Sequence, residues 1–180
     1  MTAPRPRRAD AERNRRLLLD AAQEAFNAVG ADAALDDIAK AAGVGNATLY
    51  RHFPTRTELI EAVYDDRIGA LCAAAREPGA TLEGWLETVV GHIIASRGLG
   101  DAFMAAYQGP RDSEPPQVAA WHDSIRQVAA PLLDAAQKAG AVREDLDVDE
   151  LMALTTAVAR AGTPDQATRF LGLLLTGLRA

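Results

Sequence analysis

A chain of 180 residues with 48% hydrophobic residues is long enough to bury a sizeable core and too apolar to be disordered. The lone Cys72 excludes an internal disulfide, and no apolar run approaches the roughly 20 residues that span a membrane. The net charge of −6 is uneven, because residues 1–56 carry 9 basic against 7 acidic side chains and the remainder carries 10 against 18. We therefore expect a soluble, cytoplasmic protein, without a membrane partner, whose N-terminal part attracts polyanions.

The spacing of apolar residues predicts about nine helices and no convincing strand. Residues 1–8, with two prolines and three arginines, are interpreted as a flexible basic arm. A first helix is expected from about Asp10 to Val29, where Gly30 can end it. The polar, proline-rich stretch 109–116 is expected to be a mobile loop. The other helices are predicted at about 35–42, 46–52, 56–76, 81–95, 102–107, 117–139 with a kink or break at Pro131, 148–161 and 164–178.

Residues 35–56 have the pattern of a helix-turn-helix, in which two short helices cross steeply around a turn of three or four residues. Ala39 is small enough for the close crossing, and Gly43 tolerates the positive φ that the turn needs. The second helix can then present donors, an aromatic ring and a cation, which are the groups that contact phosphates and base edges. The alternative is that Gly43 only separates two core helices. The apolar anchors are Ile38, Val44 and Leu49, and the outward-facing residues are Asn46, Ala47, Thr48, Tyr50, Arg51 and His52.

Three runs in this part of the chain carry a family resemblance: 37–44 (DIAKAAGV), 48–54 (TLYRHFP) and 58–60 (ELI). Together they resemble the DNA-binding domain of the TetR family of bacterial regulators, over about the first third of the chain. The resemblance implies an all-α fold with a three-helix helix-turn-helix DNA-binding domain at 9–55. It also implies a C-terminal helical effector-binding and dimerisation domain at 56–180, where the chain fits the family in architecture only.

Residue by residue, the resemblance implies two kinds of DNA contact. Arg56 matches a basic residue that contacts phosphate at the start of the fourth helix, and Gly43 matches the turn glycine. The phosphate contacts of the recognition helix fall on Thr48, Tyr50 and His52, and the base-edge contacts fall on Asn46, Ala47 and Arg51.

Four residues depart from the family pattern. Ala33 and Ala34 stand where Thr or Ser is common, so a hydroxyl that can cap the helix, worth about 1 kcal/mol, is absent. Asp36 stands where Arg is frequent and would repel a phosphate, and Gly45 replaces a common Ser. The arginines of the arm are expected to compensate by entering an adjacent minor groove.

The last two predicted helices carry broad apolar stripes. Part of each stripe is expected to be intramolecular core, but the resemblance implies that these helices also pair with their symmetry mates. A homodimer is expected mechanically as well, because two recognition helices about 34–36 Å apart, or a multiple of that, read a pseudo-palindrome. The predicted interface, within 147–178, comprises Leu151, Leu154, Val158, Phe170, Leu174 and Leu178.

Between these ends lie aromatic and histidine side chains, most of them expected in the core. The resemblance implies an effector pocket among them, and side chains with polar tips on apolar bodies suit a small apolar or aromatic effector. Binding there would favour one separation of the two recognition helices and release the DNA. The candidates are Tyr64, Trp85, His92, Phe103, Tyr107 and Trp121.

The sequence therefore predicts a ligand-responsive transcriptional repressor that binds double-stranded operator DNA as a dimer. An activator of the same fold is the main alternative. A non-specific architectural protein is disfavoured by the acidic chain. An enzyme is a weaker alternative, because nucleophile, phosphate-loop, dinucleotide and zinc-ligand patterns are absent from the sequence. No catalytic residue, metal or cofactor is expected.

Overall fold

The computed structural model describes residues 6–106 and 115–179. Within these two ranges the chain forms nine α-helices and no strand, which confirms the all-helical fold class. A single 3₁₀ turn, Gly30–Asp32, follows the first helix. The helices are α1 Pro6–Val29, α2 Leu35–Ala41, α3 Asn46–His52, α4 Arg56–Arg76, α5 Leu82–Ala95, α6 Arg97–Ala106, α7 Pro116–Lys138, α8 Val148–Arg160 and α9 Pro164–Gly177.

The first helix begins earlier than the sequence predicts. Helix α1 starts at Pro6 rather than near Asp10, and a proline suits a first helical turn because its missing N–H has no intrahelical partner there. Residues 6–8 therefore belong to α1 and not to the predicted arm. Residues 1–5 of that arm, Tyr107 and most of the predicted loop 109–116 lie outside the described residues.

Two helices continue through residues that the sequence analysis treated as interruptions. Helix α6 contains Gly98 and Gly100, although a helix was expected only from residue 102. Helix α7 includes Pro131 as part of one element. Glycine is a weak helix former, but at Gly98 it permits a close approach, because a Cβ there would lie 2.4 Å from the carbonyl oxygen of Phe26 in α1.

The chain divides into two compact units, and the first contains the described residues of 1–65 and 97–110. In it α6 packs against α1 and the 3₁₀ turn, α1 packs against α2, and α2 packs against α3. The predicted boundary after residue 55 differs from this division, because the start of α4 and the whole of α6 belong with the helix-turn-helix. The buried side chains of this unit include Leu18, Phe26, Ile38, Leu49, Leu59, Ile60 and Leu99.

The second unit contains residues 66–96 and the described residues of 111–180. Helix α5 packs against α7, α8 and α9, and α8 packs against α7 and α9. Capping boxes begin two of these helices: Asp147 with Glu150 at α8, and Thr163 with Gln166 at α9. The buried side chains include Trp85, Leu86, Val89, Leu151, Ala159 and Leu171.

Within residues 6–106 and 115–179, no helix combines the length and the apolar character needed to cross a membrane. Over the same residues, His, Cys, Asp and Glu side chains form no group of three or more that could hold a metal ion.

Candidate nucleic-acid interface

The turn between α2 and α3 depends on Gly43. This residue has a φ of +68°, a left-handed conformation that is strained for other residues. Its N–H donates to the Lys40 carbonyl at 3.1 Å, and the Val44 N–H donates to the Ala39 carbonyl at 3.0 Å. Ala39 is fully buried. The turn thus closes α2 with backbone hydrogen bonds and redirects the chain into α3.

Apolar side chains fix α3 on its inner side. Ile38 of α2 and Leu49 of α3 are each 1% exposed, and Phe53, which follows α3, is also buried. The guanidinium of Arg15 lies 5.6 Å from the centre of the Phe53 ring. These contacts hold α3 by one side only, so its other side faces solvent.

The outer side of α3 presents most of the residues predicted to touch DNA. Four of them are exposed and Thr48 is half-buried. Tyr50 keeps 47% of its surface exposed. The structure therefore brings an amide, a methyl, a hydroxyl, a phenol and a guanidinium onto one exposed surface, which we call the α3 face. The α3 face consists of Asn46, Ala47, Thr48, Tyr50 and Arg51.

Asn46 is tied to α2 by a hydrogen bond that the sequence analysis missed. Its Nδ2 donates to Oδ1 of Asp36 at 2.8 Å. From the sequence, Asp36 was expected to repel a phosphate and not to pair with Asn46. The acidic residue in the first turn of α2 and the amide in the first turn of α3 were the available signal, but a pairing across ten residues depends on how the turn brings the two helices together.

His52 is less accessible than the α3 face. It is half-buried, and its Nε2 is buried without a hydrogen-bond partner among the described residues. Burial lowers the pKa of His52 below its ordinary 6.5, and the charges of Arg51 and Arg15 lower it further. A neutral imidazole brings no positive charge to a phosphate, so the predicted phosphate contact of His52 would be a hydrogen bond between neutral and anionic partners.

Arg56 has contacts within the chain at the start of α4. Its Nη1 donates to the Ala33 carbonyl at 2.7 Å, and its guanidinium lies 5.4 Å from the centre of the Phe26 ring. Both partners are buried. Arg56 therefore links α4 to α1 and to the chain before α2. This link has no sequence signal, because the acceptor is a backbone carbonyl.

The predicted effector residues are divided between the two units. In the first unit, the rings of Tyr64 and Phe103 meet edge to face with 6.0 Å between their centres. In the second, Trp85 and Trp121 are both buried. The Trp85 Nε1 donates to the Leu71 carbonyl at 3.0 Å, so the polar tip of this tryptophan already has a partner.

Among the predicted effector residues, His92 has a strongly lowered pKa. Burial, with a smaller contribution from the charge of Arg67, lowers the pKa of His92 to about 4. Arg67 is itself buried and donates from Nη1 to Oγ of Ser96, which in turn donates to the His92 carbonyl at 2.6 Å. This corner of the second unit therefore holds a buried cation beside a neutral imidazole.

A groove of about 630 Å³ in the second unit involves none of the six predicted effector residues. Its walls come from the start of α5, the end of α7 and the segment after it, and α9. Glu83 and Arg179 are its charged lining residues. The apolar lining includes Leu82, Leu132, Ala136, Val142 and Leu175.

The predicted dimer residues separate into core and surface positions. Leu151 is fully buried and Leu178 is 5% exposed. These two are therefore packed within the chain and cannot contact a partner as predicted. The predicted stripe included both core and surface residues, because both kinds are apolar and recur at helical spacing. Leu154 is 43% exposed, and Val158, Phe170 and Leu174 are half-buried.

Leu173, which the sequence analysis missed, is the most exposed large apolar residue of α9, at 60%. It lies beside the predicted stripe rather than within it. Its signal in the sequence was its position three residues after Phe170, which places the two on neighbouring parts of the helix surface.

A helix-turn-helix with an exposed polar second helix, joined in sequence to a separate helical unit, defines a class of DNA-binding regulators. Comparison with known proteins agrees. Residues 18–63 match the family model of bacterial regulatory proteins of the tetR family, and residues 77–180 match the C-terminal domain of SbtR-like transcriptional regulators. The chain belongs to the TetR family.

Individual relatives give the same result. The HTH-type transcriptional repressor LfrR of Mycolicibacterium smegmatis is 36% identical over 124 residues, which cover 68% of this chain and 65% of LfrR. The matches to the other curated relatives cover 28–45% of their lengths, so the chain spans less than two thirds of each curated relative.

Solved structures match over longer stretches. A TetR regulator from Mycobacterium vanbaalenii is 35% identical, with a TM-score of 0.76, covering 97% of this chain and all of that one. SCO0520 of Streptomyces coelicolor is also 35% identical, with a TM-score of 0.74 and coverage of 92% and 98%. The structure of LfrR in complex with proflavine has a TM-score of 0.60 at 27% identity, covering 92% and 95%.

Proposed function

We propose that this chain is a dimeric transcriptional repressor that reads a pseudo-palindromic operator through the α3 face and is released by a small-molecule effector. The observation that carries the proposal is the α3 face itself, an exposed set of donors, a phenol and a cation on a helix whose other side is anchored by buried Leu49. These are the groups that contact phosphates and base edges in a major groove. Such a function would place the protein with the chromosome, in the cytoplasm.

Exposed apolar side chains on α8 and α9 support dimerisation. Leu154 and Leu173 are large apolar residues at 43% and 60% exposure. Together with the half-buried apolar residues beside them they offer a surface that a second copy can cover, and two copies would present two α3 helices to one pseudo-palindrome. The half-buried residues are Val158, Phe170 and Leu174.

The effector proposal rests on the relative with a bound ligand. LfrR has been crystallised with proflavine, a planar aromatic molecule that suits a site lined by aromatic side chains. We infer that this chain also responds to an apolar or aromatic effector. We propose that the site lies in the second unit, which contains Trp85, His92 and Trp121 of the residues predicted from the sequence.

Selection of binding sites from random duplex DNA tests the proposal. The wild-type chain is expected to recover one pseudo-palindrome, bound by two chains as measured by sedimentation. Arg51→Ala should weaken binding to that site by roughly tenfold or more, since a base-edge contact is worth about 1–3 kcal/mol. The matched control is Arg76→Ala, which removes an exposed arginine from the end of α4 in the other unit and should leave affinity unchanged.

The selected duplex then allows the other parts of the proposal to be examined. Transcription from a promoter carrying the site should fall when the protein is added, whereas an activator would raise it. Proflavine is the probe for the effector and should release the DNA. Equal weakening by the two arginine substitutions, or recovery of no motif, would refute sequence-specific reading by α3.

A further inference from the structure

Asp36 and Asn46 form a side-chain pair that joins the first turn of α2 to the first turn of α3. The distance of 2.8 Å between Nδ2 of Asn46 and Oδ1 of Asp36 is that of a charge-assisted hydrogen bond. Both side chains are exposed. The carboxylate therefore adds an acceptor from α2 beside the α3 face.

The pair fixes which way the Asn46 amide turns. An ionised carboxylate only accepts hydrogen bonds, so the amide nitrogen of Asn46 must face Asp36 and the carboxamide oxygen must face away from it. An unpaired asparagine can rotate its amide and offer donors or an acceptor to a base. Paired with Asp36, Asn46 keeps one free N–H and a free oxygen, beside a carboxylate whose remaining lone pairs are also free. The surface that results is rich in acceptors.

Acceptors in a major groove distinguish two groups of bases. Adenine and cytosine present amino donors at N6 and N4, whereas guanine and thymine present carbonyl acceptors at O6 and O4. A carboxylate that faces O6, O4 or a phosphate meets only acceptors and is repelled. An amino group is the partner that satisfies both Asp36 and the oxygen of Asn46.

We propose that Asp36 and Asn46 act as one specificity-determining unit that accepts a hydrogen bond from the exocyclic amino group of adenine or cytosine and rejects guanine or thymine at the same strand position. This inference rests on the DNA-binding function proposed above. It assigns to Asp36 a reading role in place of the simple repulsion that its charge suggests.

The test compares the base preference of the wild type with that of two substitutions in the same turn of α2. Asp36→Asn removes the charge and gives residue 36 donors of its own. Asp37→Asn removes the same charge from the neighbouring exposed residue and leaves the Asn46 pair intact. Each protein is used for selection from random duplexes, and dissociation constants are then measured for the four base pairs at each half-site position. Melting temperatures of the free proteins are measured in parallel.

The wild type is expected to prefer adenine or cytosine about tenfold at one position of each half-site. Asp36→Asn should reduce that preference to threefold or less, with preferences elsewhere and the melting temperature unchanged. Asp37→Asn should keep the full preference.

Four outcomes would overturn the proposal. If both substitutions raise affinity for all sequences alike, Asp36 acts only as a charge. If Asp36→Asn weakens all sequences alike and lowers the melting temperature, the pair is only a structural link. If the wild type selects no motif, the DNA-reading function fails together with this inference, whereas a motif that is unaffected by Asp36→Asn refutes the inference alone.

Discussion

Gly98 permits α6 to approach the backbone of α1, and replacing it with alanine tests that packing. The new methyl carbon would lie 2.4 Å from the Phe26 carbonyl oxygen and 3.2 Å from the Asn27 carbonyl oxygen. Ordinary contact begins near 3.4 Å, so α6 or α1 would have to move by about 1 Å. The obstructing atoms are backbone and cannot rotate away, as the end of a flexible side chain could.

The size of the effect follows from two opposing contributions. Overpacking costs about 1–3 kcal/mol, and a clash with backbone puts Gly98→Ala near the upper end. Alanine recovers about 1 kcal/mol because it is a better helix former than glycine. The net loss is about 2 kcal/mol, which for a chain of this length lowers the melting temperature by about 4–8 °C.

The matched control makes the same change where space is open. A Cβ at Gly91 of α5 would meet nothing within 4 Å, so Gly91→Ala should raise stability by about 0.5–1 kcal/mol through helix propensity alone. Melting is followed by far-ultraviolet circular dichroism at one protein concentration, since dimer stability depends on concentration. If Gly98→Ala is as stable as Gly91→Ala, then α6 does not contact the α1 backbone as described.

Two further predictions concern groups with buried contacts. The pKa of His92 is lowered to about 4 in the folded chain. At pH values between about 6.5 and 4, His92 therefore binds a proton in the unfolded chain but not in the folded chain. Stability should therefore fall as pH falls through that window, by about 2 kcal/mol between pH 7.5 and 5, and His92→Gln should remove this part of the fall in urea titrations. Arg56→Met should lower stability by about 2 kcal/mol, because it removes a charged hydrogen bond and a contact with the Phe26 ring. Arg51→Ala, at an exposed position, should change stability by less than about 0.5 kcal/mol, and an equally small effect at Arg56 would contradict its structural role.

The helices were largely predictable because local signals agree with the fold. Apolar spacing indicated each long helix, and the predicted range 164–178 agrees closely with α9, Pro164–Gly177. The start of α6 was missed because glycine indicates a helix break when only propensity is considered. Glycine is needed at residue 98 because α6 lies so close to α1, and no local sequence pattern reveals that distance.

The candidate site was predictable in composition but not in its connections. The residues of the α3 face could be named because the second helix of a helix-turn-helix has one anchored side, at Leu49, and one free side. The pairing of Asp36 with Asn46 depends on a side-chain geometry that the turn creates. For a related reason the predicted dimer interface included Leu151 and Leu178, which are buried within the chain. Apolar spacing does not say which neighbour covers a side chain.

The charges around the α3 face affect how DNA affinity would be divided between phosphate contacts and base contacts. Among the described residues near it, Arg51 is exposed, Arg56 is engaged within the chain, His52 has a lowered pKa and Asp36 is acidic. Attraction to phosphates supplies most of non-specific DNA binding and makes it sensitive to salt. The α3 face itself, with Arg51 as its one cation, would therefore add little to non-specific binding, which would depend on basic residues elsewhere, such as exposed Lys40 of α2. The α3 face would contribute to operator affinity mainly through base contacts, so a single wrong base pair should remove a large share of that contribution.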